Sequence, residues 1–235
     1  MAYTTAELIT NAYYISQVRS RGLDEVSGQE LADGLRMLNG LLAIKSAHSR
    51  LIPYYTKYEF DAVEGEEKYF IPGLILCETF TFNIGPVRYE MQNVNRRRYQ
   101  GSARVDGIKS LPYNWNLERT KGGSDLYVYF LPAADYPMII WGKFGFENVE
   151  FNEDLLLTFE EYYIDYLRYR LAKRICVEYG ISFTRGAQSE LAELESIMTD
   201  VSPPDLTLQK MTVFRSQSPL NWGDVNLGHG WRPGT

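Results

Sequence analysis

The sequence predicts an α+β fold: a helical bundle, built from an N-terminal hairpin and long C-terminal helices, with an inserted antiparallel β-sheet or small sandwich and an extended C-terminal tail. Three observations predict it. Apolar residues recur at a spacing of three to four before residue 51 and again after Thr158, they alternate at a spacing of two between these stretches, and beyond Asp200 prolines and glycines remove both periods. The expected organisation is a helical domain from residues 1–50 and 151–200, a β domain at 51–150 and a tail at 201–235.

Two helices open the chain. Thr4 with Glu7 has the spacing of a capping box, in which hydroxyl and carboxylate satisfy the free amides at a helix start, and the first helix should run to about Val18 with Ala6, Ile9 and Tyr13 on one face. After Gly22, Ser27 and Glu30 repeat the box, and Leu31, Leu35, Leu38 and Leu42 form the stripe of a second helix ending near His48 to Arg50. A short connection makes the pair an antiparallel hairpin.

The period then drops to two. Leu76, Phe80, Phe82 and Ile84 alternate with Cys77, Thr79, Thr81 and Asn83; Leu126, Val128 and Phe130 alternate with Tyr127 and Tyr129; and Met138 to Phe146 behaves similarly. Turn residues punctuate these strands at Pro72-Gly73, Gly85-Pro86 and Gly122-Gly123. Helical spacing returns at Thr158, which with Glu161 predicts a third capping box. Ile164, Leu167, Leu171 and Ile175 supply the aliphatic face of that helix, Tyr162, Tyr163, Tyr166 and Tyr169 broaden it, and Gly180 stops it. A last helix is expected from about Arg185 to Met198, with Ala187, Leu191, Leu194 and Met198 inward. The tail has no periodicity, yet Phe214, Leu220, Trp222 and Trp231 are too apolar to stay solvated, so a partner surface is their expected destination.

Composition narrows the chemistry. The 235 residues are 45% hydrophobic, enough for a core without metal or disulfide staples, and 30 acidic against 24 basic side chains give a net charge of -6, which speaks against a chain that coats nucleic acid. Cys77 and Cys176 stand apart in apolar patterns and read as buried thiols in a reducing compartment. The first fifteen residues carry no apolar run of signal or membrane-span type. With two His and two Cys at no ligand spacing, no metal or other cofactor is expected. No glycine-rich phosphate loop lies between a strand and a helix. His48 closes a helix and His229 falls in the Gly-Pro tail, and no Gly-x-Ser-x-Gly elbow accompanies them, so no nucleophilic triad is expected. The carboxylate pairs Glu66-Glu67, Glu160-Glu161 and Glu147 with Glu150 are each accounted for by a turn, a helix start or an acidic loop. A non-enzymatic role follows as the expectation.

Two clusters keep alternatives open. Arg96, Arg97 and Arg98 form the one concentrated basic run, read either as a contact to phosphates or to an acidic protein ring, or as a solvated loop or strand end. Eighteen tyrosines are many for this length; Tyr54, Tyr55, Tyr58, Tyr113, Tyr127 and Tyr129 suit either a carbohydrate platform or subunit interfaces.

The order of elements carries a resemblance. Leu38-Asn39 lies within the second helix. Tyr127-Val128-Tyr129-Phe130-Leu131-Pro132, Asp135-Tyr136-Pro137 and Ile139-Ile140-Trp141-Gly142 form a strand, a proline turn and a strand. The long Tyr- and Leu-rich helix then passes Leu171-Ala172 and ends in Glu178-Tyr179-Gly180. In this combination residues 5–200 resemble the head-to-tail adaptor (head completion, or tail accessory) proteins of tailed bacteriophages, chiefly the short-tailed kind; Leu111-Pro112 stands where that family commonly has Gly-Pro.

The resemblance implies a virion structural subunit at the portal vertex, synthesised in the bacterial cytoplasm and bound to the portal protein as a ring of about twelve copies. The ring would seal the DNA exit channel, with distal tail nozzle or tail-fibre proteins docked below it and packaged DNA as a further contact, and with no membrane partner. Candidate portal-binding residues are Phe214, Leu220, Trp222, His229 and Trp231. Arg96, Arg97 and Arg98 are candidates for channel or tail-protein contact, and Tyr162, Tyr166 and Tyr169 for subunit packing. The competing expectation is a carbohydrate-binding or wall-degrading tail component that uses the aromatic β domain.

Overall fold

The computed structural model describes residues 2–48, 51–101 and 105–201. The chain divides into two units, Met1–Pro203 and Pro204–Thr235. The second unit, with Phe214, Leu220, Trp222, His229 and Trp231, lies outside the described residues.

The first unit is α+β. Its helices among the described residues are α1 (Thr5–Ile15), α2 (Gly28–Ala47), α3 (Arg96–Gly101), α4 (Glu161–Glu178) and α5 (Arg185–Val201). Both N-terminal capping boxes form: the Glu7 and Glu30 amides donate to the Thr4 and Ser27 hydroxyls at 3.3 Å, and each cap amide donates back to its glutamate at 2.8 Å. The two remaining open amides of the first turn of α1, on Thr5 and Ala6, donate to the carbonyls of Glu153 and Phe151 at 3.1 Å. The start of the chain is thereby tied to the segment that leads into α4.

Helix α1 stops at Ile15, short of the expected Val18, because Gln17 takes a left-handed conformation with φ of 62°. The third capping box does not form. Thr158 instead closes a 3-10 turn at Leu155–Leu157 that Asp154 caps, and α4 begins after Glu160 with no side-chain cap of its own. The Glu160 amide donates to the Tyr54 hydroxyl at 3.2 Å.

Helix α4 is the axis of the helical core. Tyr163, Ile164, Tyr166, Leu167, Leu171, Ala172 and Ile175 meet Leu8, Ile9, Ala12 and Tyr13 of α1, Met37, Leu38, Leu41 and Leu42 of α2, and Leu191 and Met198 of α5. Full burial of each large apolar side chain is worth about 1.5–3 kcal/mol. Close approach of α1 and α2 depends on Gly34, where an added Cβ would sit 2.4 Å from Ile9 Cγ2.

The strands between α2 and α4 form two four-stranded sheets. One contains β1 (Thr56–Asp61), β10 (Pro137–Phe144), β3 (Leu74–Ile84) and β4 (Val87–Glu90) in that order, all antiparallel. The other contains β2 (Lys68–Pro72), β8 (Gly123–Tyr129), β7 (Asn114–Thr120) and β5 (Gln92–Asn93), with β5 parallel to β7. Short strands β6 (Lys109–Ser110) and β9 (Leu131–Pro132) pair in parallel. The two larger sheets share one core: Phe80, Phe82, Met138 and Ile140 from the first meet Tyr69, Ile71, Trp115, Leu126 and Val128 from the second.

Gly73 is the corner of this layer. It alone separates β2 from β3, which belong to different sheets, and its φ of 68° is one that a side chain would strain. The Gly122 turn closes the β7–β8 hairpin, as its sequence predicts.

One alternation expected from the sequence fails in β3. Trp141 pairs with Thr79 while Gly142 pairs with Cys77, so Glu78 is an extra residue in a β-bulge and the side-chain phase reverses there. Leu76 is consequently 41% exposed and Cys77 only 6%. A second departure is α3, where the alternation predicted strand or loop. Among the described residues no helix is long and apolar enough to cross a membrane.

Candidate interaction surface

The helical and β layers are joined by residues 145–149, held from the α2 side. The Asn39 side chain grips the Val149 backbone at two points, accepting from its amide at 2.9 Å and donating to its carbonyl at 3.2 Å, while the Phe146 amide donates to Ser46 Oγ at 2.9 Å. Phe146, Phe159 and Tyr163 pack ring against ring beside this joint, with centroids 5.3–5.4 Å apart. A cavity of about 330 Å³ opens there, lined among others by Ile52, Tyr54, Phe144, Glu147 and Glu153. Its carboxylates are not both free for chemistry: Glu153 accepts the Glu150 amide at 3.1 Å and the Thr158 hydroxyl at 3.4 Å, which braces the loop.

A different surface lies along α2 and α4. Leu41, Ile44 and Lys45 of α2 and Arg170, Lys173, Arg174 and Val177 of α4 line a groove of about 270 Å³. Spacing explains the α4 side, since residues 170, 173, 174 and 177 fall on one helical face. Ile44 is 50% exposed and Val177 77%, so apolar surface is presented between four cationic side chains.

Three of the four cations are positioned by different contacts. Arg174 donates to the Met37 carbonyl at 3.4 Å, its guanidinium crossing α2 at Gly40, where a Cβ would lie 3.4 Å from Nη1. Arg170 pairs with Glu195 of α5 at 3.4 Å. The Lys45 amine sits 4.9 Å from the Tyr166 ring centroid; burial pushes its pKa down, the charge of Arg170 adds to this, and Glu195 partly opposes it. A surface both acidic and apolar is the chemical complement of such a groove.

Arg96, Arg97 and Arg98 are exposed on α3, one turn of helix where sequence reasoning expected a loop or strand end. Arg96 pairs with Glu118 at 3.1 Å, and α3 is anchored by buried Tyr99, whose hydroxyl donates to Glu67 at 2.9 Å. Asn95, whose Oδ1 accepts the Arg98 amide at 2.8 Å, was the overlooked signal for this helix.

Of the three tyrosines expected at subunit contacts, Tyr166 is fully buried inside its own chain and has no surface to offer a neighbour. Tyr162 and Tyr169 remain partly accessible. Of the tyrosines considered for a carbohydrate platform, Tyr127 and Tyr129 share β8 and the Tyr113 amide donates to the Tyr129 carbonyl at 3.1 Å, whereas Tyr58 packs on Phe60 and Phe144 and Tyr54 accepts the Glu160 amide. His48 is the exposed C-cap of α2. Cys77 and Cys176 are free thiols, both buried, and burial pushes their pKa values up. Among the described residues no group of three or more His, Cys, Asp or Glu is arranged to hold a metal ion.

No protein-family model matches this chain, and no curated protein matches it.

Proposed function

We propose that the chain is a structural subunit of a tailed-phage head-to-tail adaptor, assembling as a ring of about twelve copies beneath the portal to seal the DNA exit channel and seat the distal tail proteins. In this reading the helical bundle forms the wall of the ring, the β-sandwich is an insertion displayed from it, and residues 201–235 reach the portal protein. The viral setting rests on the resemblance in element order and motifs across residues 5–200.

The single observation that favours an assembly role is the groove between α2 and α4. Ile44 and Val177 are large apolar side chains left exposed in one concavity with four cations. A protein partner with an acidic, apolar surface would cover this concavity and complement its charge. Of the two carboxylates in the cavity beside Phe159, Glu153 is engaged in bracing a loop, which gives a paired-carboxylate hydrolytic reading less to stand on.

The test is deletion of residues 204–235, the unit that carries Trp222 and Trp231. The truncated chain is expected to retain its circular dichroism and thermal transition but to be absent from portal-containing heads after sedimentation. Full attachment of the truncated chain would refute the portal-docking role of the tail.

A further inference from the structure

The groove raises the question of its occupant, and α5 supplies an answer in charge and shape. Its sequence Arg-Gly-Ala-Gln-Ser-Glu-Leu-Ala-Glu-Leu-Glu-Ser-Ile-Met-Thr-Asp-Val holds four acids and, at its first residue, one base. Leu191 and Met198 face the core of their own chain. On the far side of the helix, Glu190, Glu193, Ile197 and Asp200 fall within one stripe at helical spacing, and all four are exposed. Ile197 is 37% exposed in the middle of these acids.

The groove is the complement of that ridge: cations around an apolar centre, against acids around an apolar centre. Among the described residues, Lys173, Glu190, Glu193 and Asp200 have no ion-pair partner. Glu195, on a different side of α5, already pairs with Arg170 within the chain, so an α5 acid against an α4 base is a combination this protein uses.

We infer that the α2–α4 groove receives the outer ridge of α5 from a second copy of this chain, with Ile197 entering between Ile44 and Val177 and with Glu193 and Asp200 reaching Lys173 and Arg174. The contact joins unlike patches, and every copy offers both. Repeated about an axis, such a contact closes into a ring when the rotation between neighbours divides a full turn. The inference rests on the ring reading above and specifies its lateral joint.

The test uses the full chain, with and without portal-containing heads. Ile44→Cys and Ile197→Cys in one chain should give a ladder of disulfide-linked oligomers on mild oxidation, without competition from the buried Cys77 and Cys176. Lys173→Glu and Glu193→Lys should each abolish assembly, since each places like charges face to face, while leaving the circular dichroism unchanged, because Glu193 is exposed and Lys173 partly accessible. Assembly should return when the two charge variants are mixed, because every groove then finds a ridge of opposite sign, and also when both changes are made in one chain. Rings that form without cross-linking and ignore the charge variants would overturn this joint and leave the ring reading standing. A chain that never assembles, with heads or without, would overturn the ring reading itself.

Discussion

Asn39→Ala removes the clamp that holds the joint between the two layers. The side chain bonds both the amide and the carbonyl of Val149, a buried residue of the helical core, and alanine leaves neither group a replacement. A net hydrogen bond is worth about 1 kcal/mol, and an orphaned buried polar group costs about 1–3 kcal/mol. Because Asn39 itself is only part-buried and water has some access, the expected loss is about 2–4 kcal/mol. In urea, with a slope of about 2–3 kcal/mol/M, the midpoint should fall by about 1 M at unchanged slope. Tryptophan fluorescence, dominated in the core by buried Trp115, and far-ultraviolet circular dichroism should report the same transition.

The substitution Asn39→Asp refines the test. A carboxylate still accepts the Val149 amide but turns its second oxygen toward the Val149 carbonyl, whereas the protonated acid donates to that carbonyl. The folded state therefore raises the pKa of the introduced group, and its stabilising contribution is present at low pH and lost as pH rises. The deficit of this variant relative to the parent should shrink as pH falls toward the ordinary carboxyl value of ~4. A loss below about 0.5 kcal/mol for Asn39→Ala, the range of an inert surface change, would refute the clamp.

Other expectations follow from the same geometry. Gly142→Ala places a Cβ 2.2 Å from the Leu76 carbonyl oxygen at the β3 bulge and should cost about 1–3 kcal/mol or prevent folding, while Gly186→Ala, in open space on α5, should stabilise by up to about 1 kcal/mol; equal denaturation midpoints would contradict the bulge. Burial pushes the Cys77 thiol up to about 12, so neither it nor buried Cys176 should react with a thiol reagent at pH 8 until denaturant is added; rapid native labelling of both would contradict their placement. Burial also pushes the phenols of Tyr69, Tyr162 and Tyr166 from 10.0 up to about 12, with the Tyr54 hydrogen bond adding at Tyr162. Since the folded values are raised, their stabilising contribution is intact below pH 10 and is lost as pH climbs to about 12, a window in which the urea midpoint should fall; a flat profile would count against it.

Local chemistry made much of the fold legible. The Thr4 and Ser27 caps, the α4 face from Ile164 to Ile175 and the Gly122 hairpin each depend on residues a few positions apart, and each forms as read. What failed depends on partners distant in sequence. The phase of β3 reverses at Glu78 because of how β10 pairs with it, and Thr158 is diverted from α4 by a 3-10 turn already capped by Asp154. Six-residue α3 has one buried anchor, Tyr99, too few for a helical period to register. Tyr166 illustrates the ambiguity of an amphipathic ring: a tyrosine on the flank of an apolar stripe suits an interface or a core equally until the packing of α4 against its neighbours decides. The groove was out of reach for the same reason, since Ile44 and Val177 become neighbours only when α2 lies beside α4.

Lateral and axial assembly around a portal is the claim on which the functional account stands, and the mass and particle images of the purified full chain, recorded with and without portal-containing heads, test it most directly. The account predicts that copies accumulate as a closed ring at the portal vertex. A chain that remains single in both conditions and leaves that vertex bare would contradict it.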